Sequence, residues 1–328
     1  MDEPPMDMLR LAVDYLQCAE CGLRQWAISD DGLHCSCGST LVWDGAMLHA
    51  QSAFSDASTE FYDYTGGARF VGTKFDDNVQ IYATTRAYQQ CLEKWFSQPA
   101  GALLDLGCGD GRLSLWALEK GFFPVIAVDD CVESLRRLAA TARERKLNGL
   151  IPIAAPIQQA PLRPSSFQVI LCIEVLYYLT GPARRKETLR ELASLLAPDG
   201  RMVLSEFTRM GRVLADVVAM NVENMRLAAY QGERLEKFGD KSVQVSIPHA
   251  KELKADCQNA GLELVASSGV SPIPMLFQHA YTFTSYPLRP SLDDTLKNLI
   301  ETLDDLSSDE SSLSRNLVLL LRRDSNAL

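Results

Sequence analysis

The sequence is short of histidine, of basic charge near its start and of long apolar runs. Only four of its 328 residues are histidine (His34, His49, His249 and His279), so imidazole chemistry has very few positions to draw on. No stretch reaches the roughly 18 uncharged apolar residues of a membrane span. The opening MDEPPMDMLR is acidic, without the basic start and apolar centre of a secretory signal. A membrane partner is therefore not expected, and a cytoplasmic location is. Residues 1–50 hold two basic side chains, Arg10 and Arg24, against eight acids, and the whole chain has a formal charge of -10. Gripping phosphates takes Lys and Arg surfaces, so no nucleic-acid partner is expected either.

Cysteine, by contrast, is plentiful. Nine is an awkward odd number for a secreted disulfide framework but suits a reducing compartment, where free thiols and metal thiolates persist. Cys18, Cys21, Cys35 and Cys37 form two pairs within twenty residues. Thiolates this close repel unless a cation neutralises them, and Zn²⁺ in a tetrahedron of four sulfurs, spread over a β-hairpin, is the usual solution for a segment too short to build a core. The expected organisation is a zinc-ribbon-like domain over residues 1–50, an aromatic-rich helical extension or lid over 51–100, and a main domain over 101–328. The segment from Phe54 to Phe96 carries ten of the 26 aromatic residues, a density that fits either packing or a lid.

From Ala102 the pattern alternates short apolar runs with amphipathic stretches. ALLDL, PVIAVD, LIPIAA, FQVILCI and RMVLSEF read as buried parallel strands, with helices at 112–120, 131–146 and 183–196 between them. The arginines of the second helix, Arg136 and Arg137 among them, read as a solvated face. A long helical segment is expected over 210–238, then a helix at 249–260, a strand LELVAS and a last strand NLVLLLRR. Insertions at about 208–246 and 270–314 leave the sheet where its strands end and are placed to cap a ligand crevice.

The turn DLGCGDGR decides what binds there. Little side chain obstructs Gly107, Gly109 and Gly111, so backbone N–H groups can come close to a polar ligand. The spacing Gly-x-Gly-x-Gly is not the Gly-x-Gly-x-x-Gly of dinucleotide sites. Asp105, two residues ahead, would repel a pyrophosphate and accept an ammonium. Asp129, at the end of the second strand, sits where such folds place an acceptor for two ribose hydroxyls, with Asp130 next to it. A cationic amino-acid head and a ribose with no phosphate between them describe S-adenosylmethionine.

On DLGCGDGR, VDD and FQVILCIEVLYYL, in that order, the chain from about Leu103 to Phe207 resembles the class I S-adenosylmethionine-dependent methyltransferases. The resemblance implies an α/β fold with a Rossmann-like seven-stranded sheet whose last strand is antiparallel. It also implies S-adenosylmethionine held by Asp105, the three glycines and Asp129 or Asp130, with Ile173 and Glu174 at the end of the fourth strand. Two departures stand out. Many relatives carry an acid after the third strand for the adenine, and this chain has Pro156 and Ile157 there, leaving backbone N–H groups, an Ile157 face or Gln158 as the adenine contact. Relatives also often have an acid and a histidine after EVL, where this chain has Tyr177 and Tyr178. Those tyrosines are the candidates to meet the acceptor, and His249 and His279 to serve as base.

The N-terminal segment loosely resembles the zinc ribbons of tRNA-methyltransferase activator proteins and of certain rRNA guanine methyltransferases. The favoured expectation is methyl transfer to a small-molecule metabolite, with structural zinc. An RNA methyltransferase, a non-catalytic fold-mate supporting another enzyme, and an S-adenosylmethionine-consuming enzyme that attacks another carbon, as in intramolecular cyclisation, are the alternatives. A homodimer is left open.

Overall fold

The computed structural model describes residues 6–50, 79–99, 101–179, 181–209, 211–213, 222, 224, 227–238, 241–270 and 316–324. The chain divides into two compact units, one formed by residues 1–71, 98–173 and 190–202, the other by 72–97, 174–189 and 203–328.

The first unit begins with a short helix, α1 (Met6–Ala12), and an antiparallel meander of β1 (Trp26–Ser29), β2 (Gly32–Cys35), β3 (Thr40–Trp43) and β4 (Leu48–Ala50). Beyond them come β5 (Leu103–Leu106), β6 (Val125–Asp129), β7 (Leu150–Ala154) and β8 (Phe167–Ile173), and the order within this unit is β1-β2-β3-β4-β7-β6-β5-β8. Strands β5 to β8 pair in parallel and are buried almost throughout, as unbroken apolar runs require when both faces of a sheet are covered. Two helices of this unit matter for the site: α3 (Arg112–Lys120) follows β5 and α4 (Val132–Glu144) follows β6. The cysteine-bearing segment is not a detached annex. Its last strand, β4, pairs in parallel with β7, Leu48 against Ile153 and His49 against Ala154.

The second unit contains α2 (Val79–Trp95), α6 (Ala250–Asn259), β12 (Leu262–Val270) and β13 (Asn316–Arg323). Helix α5 (Pro182–Leu195) and strand β9 (Leu196–Phe207) each run through both units. Strand β9 neighbours β13, and β13 pairs antiparallel with β12, the reversed last strand that the resemblance implies. Among the described residues the α/β part thus has seven strands, β5 to β9, β12 and β13. The start of β9 lies ahead of the expected RMVLSEF, so PDG at 198–200 falls inside the strand.

One helical expectation fails. Where a helix was expected over 210–238, Glu233–Phe238 forms β10, paired antiparallel with β11 (Lys241–Ser246). ERLEKF is built from good helix formers, and pairing with a complementary strand overrides that weak preference. The aromatic stretch 51–78 and most of the insertion at 270–314 lie outside the described residues.

Candidate active site

In the first unit the chemistry gathers where β5 and β6 end. Gly107 and Cys108 donate backbone N–H bonds to the Val128 carbonyl at 2.8 and 3.1 Å, folding the turn back onto β6. All three glycines have left-handed backbones, with φ of 69°, 53° and 74° at Gly107, Gly109 and Gly111, a region that costs other L-residues roughly 1–2 kcal/mol. Gly111 also has no room, because a Cβ there would run into the Leu138 side chain of α4. Gly109 differs: a Cβ would meet nothing within 4 Å, so its bare face opens onto space.

Two buried carboxylates flank the turn. Asp105 accepts a 2.6 Å hydrogen bond from the Ser114 hydroxyl of α3. Burial pushes its pKa up to about 6, against the Ser114 bond and the nearby Arg112 charge. Asp129 accepts the Gly109 N–H on one oxygen and the Cys131 N–H on the other, both at 2.8 Å. Burial raises its pKa too, and those two N–H groups oppose the shift. The Asp130 N–H acts in the same sense, and a carboxylate has about four acceptor positions, so capacity for a hydroxyl remains. Asp110 in the turn receives a two-point bond from Arg137 of α4, at 2.9 and 2.7 Å, and Arg136 reaches Asp44 at 3.0 Å. Two arginines read as solvated are thus ion-paired. Asp130 is partly exposed, Ile157 and Gln158 lie half-buried on a one-turn 3-10 helix after β7, and Ile173 is buried at the end of β8.

The four cysteines fall together. Their sulfurs all lie within 4.8 Å of one another, with Cys18 to Cys37 at 3.6 Å and Cys21 to Cys35 at 3.5 Å. Zn–S bonds of about 2.3 Å in a tetrahedron place sulfurs about 3.8 Å apart, so the donor set fits zinc in type and spacing. Each pair closes in the same way: Gly22 donates to the Cys18 carbonyl and Gly38 to that of Cys35, both glycines at positive φ. His34 lies outside the cluster, half-buried and bonded to Asp31 at 2.8 Å.

In the second unit a buried polar cluster surrounds the residues after β8. Glu174 has φ of 59°, uncommon for a residue with a side chain. Its Oε1 accepts the Tyr88 hydroxyl of α2 and the Asn316 amide of β13, each at 2.9 Å, and Tyr88 also bonds Ser205 at 2.9 Å. Next to it, Tyr177 and Tyr178 stand on a 3-10 turn (Leu176–Tyr178), their ring centroids 4.0 Å apart, with Phe207 meeting Tyr177 edge-on at 4.7 Å. The buried Arg212 lays its guanidinium 3.4 Å over the Phe207 ring. Burial, then Tyr178 and Glu174, hold the Tyr177 phenol well above its usual range, so it is neutral.

Glu206, fully buried at the end of β9, accepts the Leu176 N–H at 2.7 Å. Burial drives its pKa up to about 8; backbone N–H bonds oppose this and Glu174 adds to it. His249 caps α6, its N–H donating to Glu252, while Arg209 approaches Nε2 at 2.7 Å. Arginine can only donate, so the Nε2 lone pair is engaged. His279 lies outside the described residues. Tyr88, Ser205 and Asn316 had no signal in the sequence, since partners separated by 86, 117 or 228 positions leave no local pattern.

A parallel α/β sheet with a bare strand-to-helix turn, followed by a buried carboxylate one strand further on, defines a nucleotide-binding architecture. A family model described as a methyltransferase domain matches residues 77–267, and the chain belongs to that family. It is 26% identical over 194 residues to the mitochondrial ubiquinone biosynthesis O-methyltransferase of Schizosaccharomyces pombe, covering 56% of this chain and 64% of that protein. It is 24% identical to the mouse tRNA (carboxymethyluridine(34)-5-O)-methyltransferase ALKBH8, covering 52% of this chain and 24% of that protein. The chain thus spans less than two thirds of either relative. Among solved structures, the CcbJ methyltransferase of Streptomyces caelestis shares its fold, with a TM-score of 0.51 and 14% identity over 80% of this chain and 98% of that one. No helix among the described residues is long and apolar enough to cross a membrane.

Proposed function

We propose that this protein transfers the methyl group of S-adenosylmethionine to a small-molecule metabolite and carries one structural zinc ion. The observation that carries the cofactor reading is Asp129, buried and tied to the N–H of Gly109, whose own open face leaves room for a ligand against the backbone. In this reading Asp105 and the turn receive the amino-acid head, Asp129 takes the ribose hydroxyls with Asp130 beside it, and Ile157, Gln158 and Ile173 border the adenosine. The cofactor supplies an electrophilic methyl on a sulfonium. The protein has to align the acceptor, exclude water and take up a proton where the acceptor carries one. Tyr177 and Tyr178, in tilted ring contact and backed by Phe207, give the second unit an aromatic wall for the acceptor. Cys18, Cys21, Cys35 and Cys37 supply the four thiolates for zinc.

The S. pombe relative's name supports a small-molecule acceptor, and the acidity of residues 1–50 weighs in the same direction. The mouse relative's name keeps RNA as the rival. Methyl-labelled S-adenosylmethionine, offered with a small-metabolite extract or with bulk tRNA, separates them. Label should enter the small-molecule fraction with little dependence on salt. Label in tRNA, with binding that weakens steeply as ionic strength rises, would overturn the assignment.

A further inference from the structure

The cysteine-bearing ribbon is built into the floor of the glycine turn. Met47, in the connection from β3 to β4, is completely buried and shares one apolar cluster with Cys108 of the turn and with Leu135, Leu138 and Ala142 of α4. Leu138 is the side chain that leaves Gly111 no room for a Cβ. Asp44 shapes the connection that presents Met47: one of its oxygens accepts the N–H groups of Ala46 and Met47 at 2.9 and 3.0 Å, and the other accepts Arg136 of α4. The next residue on α4, Arg137, holds Asp110 of the turn at two points. At its N-terminus the helix receives the Asp129 carboxylate through Cys131 N–H. Helix α4 therefore touches both the ribbon and three residues of the turn, Cys108, Asp110 and Gly111. In addition β4 borders β7, the strand that leads into Ile157 and Gln158.

Leu33, Leu41, Met47 and Leu48 of the ribbon are buried, but the two turns that carry the cysteines bring four thiolates together, which repel unless a cation neutralises them, so the order of that end depends on metal. On the zinc reading above, the ribbon is ordered with metal and loosened without it, and the ordered state is the one that presses Met47 and Asp44 against α4. From this arrangement, and resting on the zinc and cofactor readings above, we infer that metal in the four-cysteine cluster and cofactor at the glycine turn strengthen each other's binding through helix α4. Met47 is the positioning residue of this link. Binding free energies are reciprocal, so each ligand must change the other's affinity by the same factor.

The probes are zinc and S-adenosylhomocysteine. Calorimetry on the zinc-loaded full chain comes first, followed by the chelator-stripped protein, checked for fold by circular dichroism. Zinc affinity is then measured in a chelator-buffered titration with and without saturating S-adenosylhomocysteine. The expected result is a loss of at least about fivefold in S-adenosylhomocysteine affinity on stripping, mirrored by an equal factor in zinc affinity. Met47→Ala should keep one zinc per chain yet bind S-adenosylhomocysteine several-fold more weakly, and Met47→Leu should restore it. Arg136→Gln, a change at an exposed side chain, should weaken the coupling with the fold intact. Equal affinity, within about twofold, in loaded and stripped protein would overturn the inference. Where stripping unfolds the chain, a Met47→Ala variant that binds both ligands like the parent would overturn it as well. A loaded parent that binds no S-adenosylhomocysteine, or a purified chain that holds no zinc, brings down the underlying reading and this inference together, and the first measurement on the parent reveals which.

Discussion

Replacing Glu206 by Gln tests the reading of the buried carboxyl cluster through the pH dependence of stability. In the folded protein burial raises the Glu206 pKa from 4.5 to about 8. Below pH 4.5 folded and unfolded chains both hold the proton. Between 4.5 and about 8 the folded chain keeps a proton that the unfolded chain has released, so stability falls as pH rises; above about 8 both are ionised and the loss is complete. At roughly 1.4 kcal/mol per pH unit the full span of about 3.5 units is worth about 5 kcal/mol as a ceiling. Gln keeps an acceptor for the Leu176 N–H and cannot ionise, which isolates this contribution from the other shifted carboxylates, present equally in both proteins. Relative to the parent, the variant should therefore gain about 2–3 kcal/mol between pH 5.5 and 7.5. By differential scanning calorimetry that is an increase of roughly 5–10 °C in the Tm difference, at about 2–4 °C per kcal/mol for domains of this size. A difference that stays constant with pH, or shrinks as pH rises, would show that Glu206 is charged in the folded state and refute the argument.

Other expectations follow from single contacts. Asp129→Ala removes the acceptor proposed for the ribose along with the partner of the Gly109 and Cys131 N–H groups, and should weaken S-adenosylhomocysteine binding by roughly 10- to 100-fold in calorimetry; parent-like binding would shift the role to Asp130. Elemental analysis should find one zinc per chain, lost in a Cys18→Ser plus Cys37→Ser variant. Asp256→Ala leaves Arg185, which it holds at 2.6 and 2.9 Å between buried side chains, without its carboxylate. A stability loss of about 3–5 kcal/mol is expected, largely recovered by adding Arg185→Met, and measurable by denaturant titration; a loss under about 1 kcal/mol would mean that the guanidinium finds other partners.

The sequence made local features legible and left the long-range ones hidden. Strands β5 to β8 could be read because burial on both faces demands continuous apolar runs, and the glycine turn because three left-handed positions in five residues exclude most side chains. The four cysteines were visible from spacing alone. That β4 would pair with β7, extending the sheet where a separate domain was expected, could not be read, since a three-residue strand carries no record of its partner. The Glu174, Tyr88 and Asn316 cluster was equally hidden, being assembled from three distant segments. At 233–238 the local preference pointed the wrong way, because helix-forming residues were recruited into a hairpin by their neighbour strand.

Methyl transfer from S-adenosylmethionine at the glycine turn to a small molecule, as proposed above, fixes what must become of both halves of the cofactor. Its most direct test is to incubate the purified, zinc-loaded protein with methyl-labelled S-adenosylmethionine and a small-metabolite extract, and to identify both halves of the cofactor by mass spectrometry. S-adenosylhomocysteine and an equal amount of label in a small product are expected. Methylthioadenosine in its place, or a cofactor that remains intact while the protein binds it, would rule out methyl transfer to a small molecule.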